Sequence, residues 1–505
     1  MKNTWKKHFK DLGLLYAATL LVTALIVFAA TQGDLAETVF QQTRTAISDS
    51  TSWLLILIMN AVLLFTLFLA FSKHGKIRLG GPESEPEYSR FDWFGMLFAA
   101  GMGIGLLFYS IAEPLQHYAA FLPRFDGKAP ESAKLAMEMT FLHWGFHPWA
   151  VYALVGLSLG FFHFNRGRPL GFEAPLESLL GPRHARRFGW IVNLVAVIST
   201  IFGITTSLGL GATQAVEGIA LLTGVAATST LELIVIAVVA SAALLSVLTG
   251  LGNGVRRFSK INLLLAVALM IFVLFAGETR FVLRAFGENI GGYLNDLVAL
   301  STWNETYTGT NWQAQWTVFY WSWWIAWSPF VGMFIARISR GRSIREFILG
   351  VVLVPSGFNF LWMTVFGSNA LYLELFESTD LAATVSAAPD ASLYAFLEHL
   401  PLSQVTIGLS VLVVLIFFVT SADSGALVVA TLTSNGKDPS WRQRLFWVVT
   451  VAVVSAVLLR VGGLTALQSA TVATGLPFGL LVLAMIPALL RELRATPVVE
   501  SSGEK

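Results

Sequence analysis

The chain contains no cysteine, which excludes disulfides, thiolate metal ligands and a cysteine nucleophile. It is also poor in charge. Asp, Glu, Lys and Arg make up 13% of its 505 residues, no linker is long enough to hold a soluble domain, and a net charge of +2 gives no reason to expect nucleic-acid binding. Missing, too, is any nucleophile, metal cluster or acid–base pair at a spacing useful for catalysis. His143 and His147 stand four apart on an apolar segment and read as a polar packing contact, with a proton relay as the other reading. Neither an enzyme nor a bound cofactor is expected.

What the chain has instead is apolar length. Hydrophobic residues make up 55% of it, and stretches of about 20 residues, enough to cross a bilayer as a helix, recur from end to end. They predict twelve spans at about 12–31, 52–72, 93–119, 137–163, 188–222, 230–250, 258–277, 312–336, 345–372, 403–433, 443–462 and 464–490. Lys2, Lys6, Lys7 and Lys10 before the first span imitate a signal peptide, but that span is long and others follow, so it is read as retained. Of the 33 Lys and Arg, only Arg44, Arg124, Lys128, Lys134, Arg280, Arg284 and Arg460 fall on the side opposite the N-terminus. That bias predicts both termini in the cytoplasm. Between spans 7 and 8, Val282, Phe286, Ile290, Tyr293, Leu294 and Leu297 recur at helical spacing with Arg284, Glu288 and Asp296 among them. This predicts an amphipathic helix at the interface, acting as a surface anchor or a subunit contact.

Some segments contradict a plain apolar helix. Span 3 carries Ala99-Ala100-Gly101-Met102-Gly103-Ile104-Gly105 and then Glu113-Pro114. Each glycine costs roughly 1 kcal/mol relative to alanine in a helix interior, and unwound backbone persists in lipid only where its carbonyls line a cavity or bind an ion. The segment reads as a discontinuous helix at a binding site or as a Gly101/Gly105 packing face. A carboxylate within a span is costly and is usually functional or paired, which favours the first reading unless Glu113 simply lies near the outer helix end. In span 4, Pro148 is expected to open the backbone between Trp144 and Trp149. In span 10, Thr420-Ser421-Ala422-Asp423-Ser424 sets hydroxyls at membrane depth. They offer oxygen to a hard cation such as sodium, or bond back to the preceding turn.

The stretch Trp316–Phe330 holds five tryptophans. A quaternary ammonium has no N–H to donate, whereas indole faces attract it at roughly 0.5–2 kcal/mol each, so the run points to a betaine-like or choline-like ligand. An interfacial aromatic belt accounts for Trp312 and Trp316, while Trp321, Trp323, Trp324 and Trp327 lie deeper and read as ligand-facing. Trp324 and Trp327 are three apart, as are Trp149 and Tyr152, so each pair shares a helix face.

Together GMGIG at Gly101–Gly105, HWGFHPWAVY at His143–Tyr152, the stretch Trp316–Phe347 and TSADSG at Thr420–Gly425 resemble the betaine/choline/carnitine transporter family, over nearly the whole chain. The resemblance implies an all-α integral membrane protein of twelve helices with a leucine-transporter-like core, in which spans 3–7 and 8–12 are inverted repeats, assembled as a homotrimer. It divides the chain into two peripheral spans and their loop (1–92), the first repeat (93–278), the interfacial helix (279–311), the second repeat (312–490) and a short cytoplasmic tail (491–505). It implies an onium box of Trp144, Trp149, Tyr152 and Trp324, with Phe108, Trp321, Trp323 and Trp327 lining the pathway. One sodium would be held by the carbonyls of Ala99, Met102 and Phe417 and the hydroxyls of Thr420 and Ser421. A second would use Thr200 and Phe330, but Ile204 stands where a further threonine belongs, with Thr205 beside it as a substitute. Proton-coupled choline members place an aspartate at the position of Gly105, so this chain resembles the sodium-coupled members. Its tail lacks the long charged extension of the stress-sensing ones. The expected function is sodium-coupled import of glycine betaine or a similar quaternary ammonium or sulfonium osmolyte across a bacterial inner membrane, by alternating access. A choline or dimethylsulfoniopropionate transporter with other ion coupling, and an onium-selective channel, are the alternatives.

Overall fold

A computed structural model describes residues 2–101, 103–248, 252–308, 310–434 and 436–497. Among these the backbone is helical, with no strand and a single isolated bridge between Arg78 and Ser343. Runs of Leu, Val and Ala that satisfy their backbone hydrogen bonds within one segment are what a lipid environment demands.

Helix α1 (Lys2–Thr31) is followed after Gln32 by α2 (Gly33–Phe71). The polar stretch 33–51, expected as a connection, is therefore helical. Span 3 divides at its glycines: α3 (Arg90–Gly101) stops, Gly103 is extended at φ −153° and ψ 179°, and α4 (Ile104–Phe121) resumes. Span 4 is also broken between Trp144 and Trp149 as expected, but at Gly145 rather than at Pro148. Helix α5 (Ala129–Trp144) ends at Gly145 (φ −96°, ψ −129°) and α6 (Phe146–Phe164) starts at once. Pro148 lies in the first turn of α6, where a missing N–H forfeits no intrahelical bond. A Cβ at position 145 would lie 2.5 Å from the Phe141 carbonyl oxygen and 2.7 Å from the Phe360 ring, so the residue at the break has to be glycine.

Helix α7 (Glu173–Thr223) bends at Gly181, and α8 (Ser229–Leu248), α9 (Gly252–Ala276) and α10 (Thr279–Thr302) follow. The expected interfacial helix is α10. It buries Val282, Ala285, Asn289 and Tyr293, while Leu283, Leu294 and Val298 are exposed. The tryptophan-rich span comprises α11 (Trp312–Gln315) and α12 (Thr317–Arg337), set off from one another at Trp316. Helix α13 (Ile344–Met363) passes through a π turn at Thr364–Ser368 into α14 (Asn369–Phe376). Two short helices, α15 (Leu381–Ala387) and α16 (Ser392–Leu397), precede α17 (Ser403–Thr433). Last is α18 (Trp441–Arg494), whose 54 residues break at Gly462 and Gly463.

Nine described helical stretches are long and apolar enough to cross a membrane. Among the described residues each expected span is mostly helical, with breaks in spans 3, 4 and 8. Two are outside that nine, namely α3–α4, cut short by its break, and α12, whose tryptophans lower its hydropathy, and spans 11 and 12 share α18.

Helix α12 lies at the centre, buried along nearly all its length. Small residues let backbones approach closely in membrane bundles. A Cβ on Gly332 would fall 3.0 Å from the Gly156 nitrogen of α6, one on Gly203 of α7 would fall 3.1 Å from the Ala326 carbonyl carbon, and one on Gly475 of α18 would fall 2.6 Å from the Ser322 oxygen. Three neighbours thus press directly on the helix that carries the tryptophans.

Candidate functional site

The aromatic residues of α5, α6 and α12 meet in one buried cluster. Trp144 stands edge-on to Trp324 at 4.9 Å between ring centroids, Tyr152 lies 6.5 Å from Trp324, and Trp149 lies 5.4 Å from Tyr152. The four expected box residues therefore form a continuous chain of rings. Trp323 stacks on Trp324 at 4.7 Å and on Phe319 at 5.4 Å, and Trp327 continues the wall toward Phe330. Phe108 joins through Tyr109 at 4.9 Å. Trp321 faces elsewhere, packing at 5.4 Å on His147 and at 5.7 Å on His143.

Trp144, Trp323 and Trp324 are held by their polar edges. Trp324 Nε1 donates to the His143 carbonyl at 2.8 Å, and Trp323 Nε1 donates to the Gly203 carbonyl at 3.2 Å. The His143 carbonyl is available because a helix leaves its last four carbonyls without intrahelical partners, and α5 ends at Trp144. Gly105 adjoins the same rings. A Cβ there would lie 2.5 Å from Trp323 and 3.2 Å from Trp144, so the glycine leaves the space that the indoles occupy.

Sequence reasoning singled out Glu113 as a carboxylate within a span but missed the partners it organises. Glu113 of α4 is completely buried and both its oxygens are engaged. Oε1 is 2.6 Å from His143 Nδ1 and 3.2 Å from His117 Nε2, while Oε2 accepts from Trp144 Nε1 at 2.7 Å and Tyr320 OH at 2.5 Å. Beyond it, His143 Nε2 lies 3.0 Å from Thr317 Oγ1. His143 and His147 thus belong to different surroundings, His147 lying 3.4 Å from Asn60. Glu113, His117 and His143 each bring one ligand atom within 4.8 Å of the others. The carboxylate already has four hydrogen-bonding partners, so the trio is built as a hydrogen-bonded cluster. Tyr109 and Tyr320 were missed as well. They lie 5.4 Å apart beside Trp144, and Trp316, expected as an interfacial anchor, packs on both at 6.2 Å. The i, i+4 spacing of Glu113 with His117, and of Tyr320 with Trp324, was the available signal.

The expected ion ligands are arranged differently. Thr420 Oγ1 donates to the Ile416 carbonyl at 3.0 Å and to the Phe417 carbonyl at 3.1 Å, which is the back-bonded arrangement. Ser421 is half-buried next to it, and Asp423 pairs with Arg444 of α18 at 3.0 Å. Met102 lies outside the described residues, and Ala99 is described only as helical backbone near the end of α3. At the second position, Thr200 donates to the Ala196 carbonyl at 2.7 Å and Thr205 to the Phe202 carbonyl at 3.1 Å. Ile204 packs on α17, its Cδ1 only 2.4 Å from where a Cβ on Gly425 would be.

Comparison with known proteins adds an independent line. Residues 13–498 match the betaine/carnitine/choline family of transporters. A glycine betaine transporter of Acinetobacter baylyi is 42% identical over 95% of this chain and 73% of its own length. One of Bacillus subtilis is 39% identical over 96% of this chain and 95% of its own. A glycine betaine/proline/choline transporter of Vibrio parahaemolyticus is 39% identical over 97% and 90%.

Proposed function

Because this chain belongs to the betaine/carnitine/choline family of membrane transporters, we propose that it is a secondary active symporter importing glycine betaine, or a close quaternary ammonium or sulfonium analogue, together with sodium. The observation that carries this reading is the edge-to-face contact of Trp144 with Trp324 at 4.9 Å, continued by Tyr152 and Trp149. Three or four such faces sum to several kcal/mol, about what micromolar to millimolar binding needs. Sodium would be bound where α3 gives way to α4, by Phe417, Thr420 and Ser421 of α17 together with Ala99 and Met102. Thr200 and Phe330 form a second ion position weakened by Ile204. Glycine betaine carries no net charge, so each sodium that accompanies it adds about 2.3 kcal/mol per 100 mV of membrane potential to its accumulation.

In this reading 93–278 and 312–490 are inverted repeats that rock about a central site, 1–92 is peripheral, 279–311 is interfacial and 491–505 is a cytoplasmic tail. The asymmetric distribution of Lys and Arg supports both termini lying inside a bacterial inner membrane. The exposed Leu283, Leu294 and Val298 of α10 support a trimer contact. The test is uptake of labelled glycine betaine, choline and dimethylsulfoniopropionate into proteoliposomes under separate sodium and proton gradients. Concentrative betaine uptake with sodium alone is expected. Uptake driven only by protons overturns the coupling, and equilibration without accumulation identifies a channel. Choline stays in the panel because the Vibrio relative is named for it.

A further inference from the structure

We propose that Glu113 is the fixed counter-charge of the aromatic box, a positioning residue that tilts the site toward ligands of net positive charge. The proposal rests on the onium reading above. An ionised carboxylate is a pure acceptor with about four lone-pair sites. Glu113 Oε2 faces two fixed donors, Trp144 and Tyr320, and Oε1 faces one nitrogen each of His117 and His143, which donate when those nitrogens carry the proton. With both rings donating, all four partners are satisfied by the anion.

No Lys or Arg pairs with Glu113 among the described residues, its ionic partners being His117 and His143. His117 Nδ1 is buried without a partner, and a second proton there would leave a charged N–H unsatisfied. With the Thr317 hydroxyl donating to His143 Nε2, both rings are hydrogen-bonded as neutral imidazoles. The cluster then carries one negative charge, fully buried.

That charge acts on the box through two bonds. An indole N–H or phenol O–H held by a carboxylate shifts electron density into its ring, and the ring face becomes a better cation acceptor. Trp144 and Tyr320 are so held, and their centroids lie 4.9 Å and 5.8 Å from Trp324. The charge also attracts any net cation directly, whereas the carboxylate of a zwitterion is repelled by it.

Glu113→Gln removes the charge while keeping the network bonded. His117 can move its proton to the free Nδ1, and His143 can move its own toward Thr317, so both can accept from the new amide. In reconstituted protein, choline and glycine betaine are titrated by tryptophan fluorescence and as competitors of labelled betaine uptake. Choline affinity is expected to fall about tenfold and betaine affinity about threefold or less, with the maximal rate changing less than KM. Tyr320→Phe, which keeps the ring but severs its bond to the carboxylate, is expected to weaken choline about threefold and betaine less. An equal loss for both ligands in these variants, a loss of maximal rate at unchanged KM, or a wild type that takes betaine but no net cation overturns the proposal. A wild type that binds neither ligand overturns instead the onium reading on which it rests.

Discussion

The aromatic cluster of α5, α6 and α12 and the hydroxyl-bearing stretch of α17 are both assigned to binding, yet they are built on opposite plans. In the first, side chains are fixed from outside their own helix: Trp144 by Glu113 of α4, Trp324 by a carbonyl of α5 and Trp323 by a carbonyl of α7. In the second, Thr420 bonds to carbonyls of its own preceding turn, as Thr200 of α7 also does. The rings stand in place before a ligand arrives and need little ordering on binding. On the proposed reading the hydroxyls would have to exchange an intrahelical bond for an ion, a competition that the rings would not face. Substrate recognition would then be preorganised and ion recognition conditional.

The contrast is broken most severely by Trp324→Ala. Loss of a buried Trp costs about 3–5 kcal/mol in packing, and betaine uptake is expected to fall about a hundredfold at matched membrane expression; intact uptake would remove the box from the mechanism. Gly105→Ala comes next. Its Cβ would lie 2.5 Å from Trp323, overpacking of this kind costs about 1–3 kcal/mol, and the betaine KM should rise about tenfold, as initial uptake rates would reveal. Thr420→Val deletes a hydroxyl whose intrahelical bond is worth about 1 kcal/mol. The sodium concentration for half-maximal uptake should rise about fivefold while betaine affinity at saturating sodium holds, and a parallel loss of both would show that the two regions are not separately organised. Ile204→Thr is the mildest. It supplies the absent hydroxyl and removes the Cδ1 that lies over Gly425, and the sodium dependence of uptake should steepen from a Hill coefficient near one toward two, with about 1 kcal/mol lost on thermal unfolding.

Elements whose chemistry is local were legible in the sequence. Gly103 announced its break because glycines at alternate positions weaken a helix wherever they fall, and α10 announced itself by apolar residues three and four apart. The break in span 4 was displaced to Pro148 because proline is the stronger signal, whereas at Gly145 a ring from α13 makes the side chain impossible. The helix over 33–51 has no apolar periodicity to reveal it. It lies against α18, where Arg44 reaches Gln468 at 3.2 Å. Glu113 was visible as an intramembrane carboxylate, but its partners His143, Trp144 and Tyr320 are 30, 31 and 207 residues away. Only the fold brings them together.

The break at Gly145 has a further consequence. It exposes two successive carbonyls at the end of α5. His143 receives the indole N–H of Trp324 from α12, and Trp144 receives the Asn359 amide from α13 at 2.8 Å. Two elements from the C-terminal half of the chain therefore plug into a gap in the N-terminal half, and the ring cluster is whole only while they are seated there. If that cluster binds the ligand as proposed, it is a coincidence detector: a ligand that needs rings from both sides would report, by being bound, that the two halves have come together.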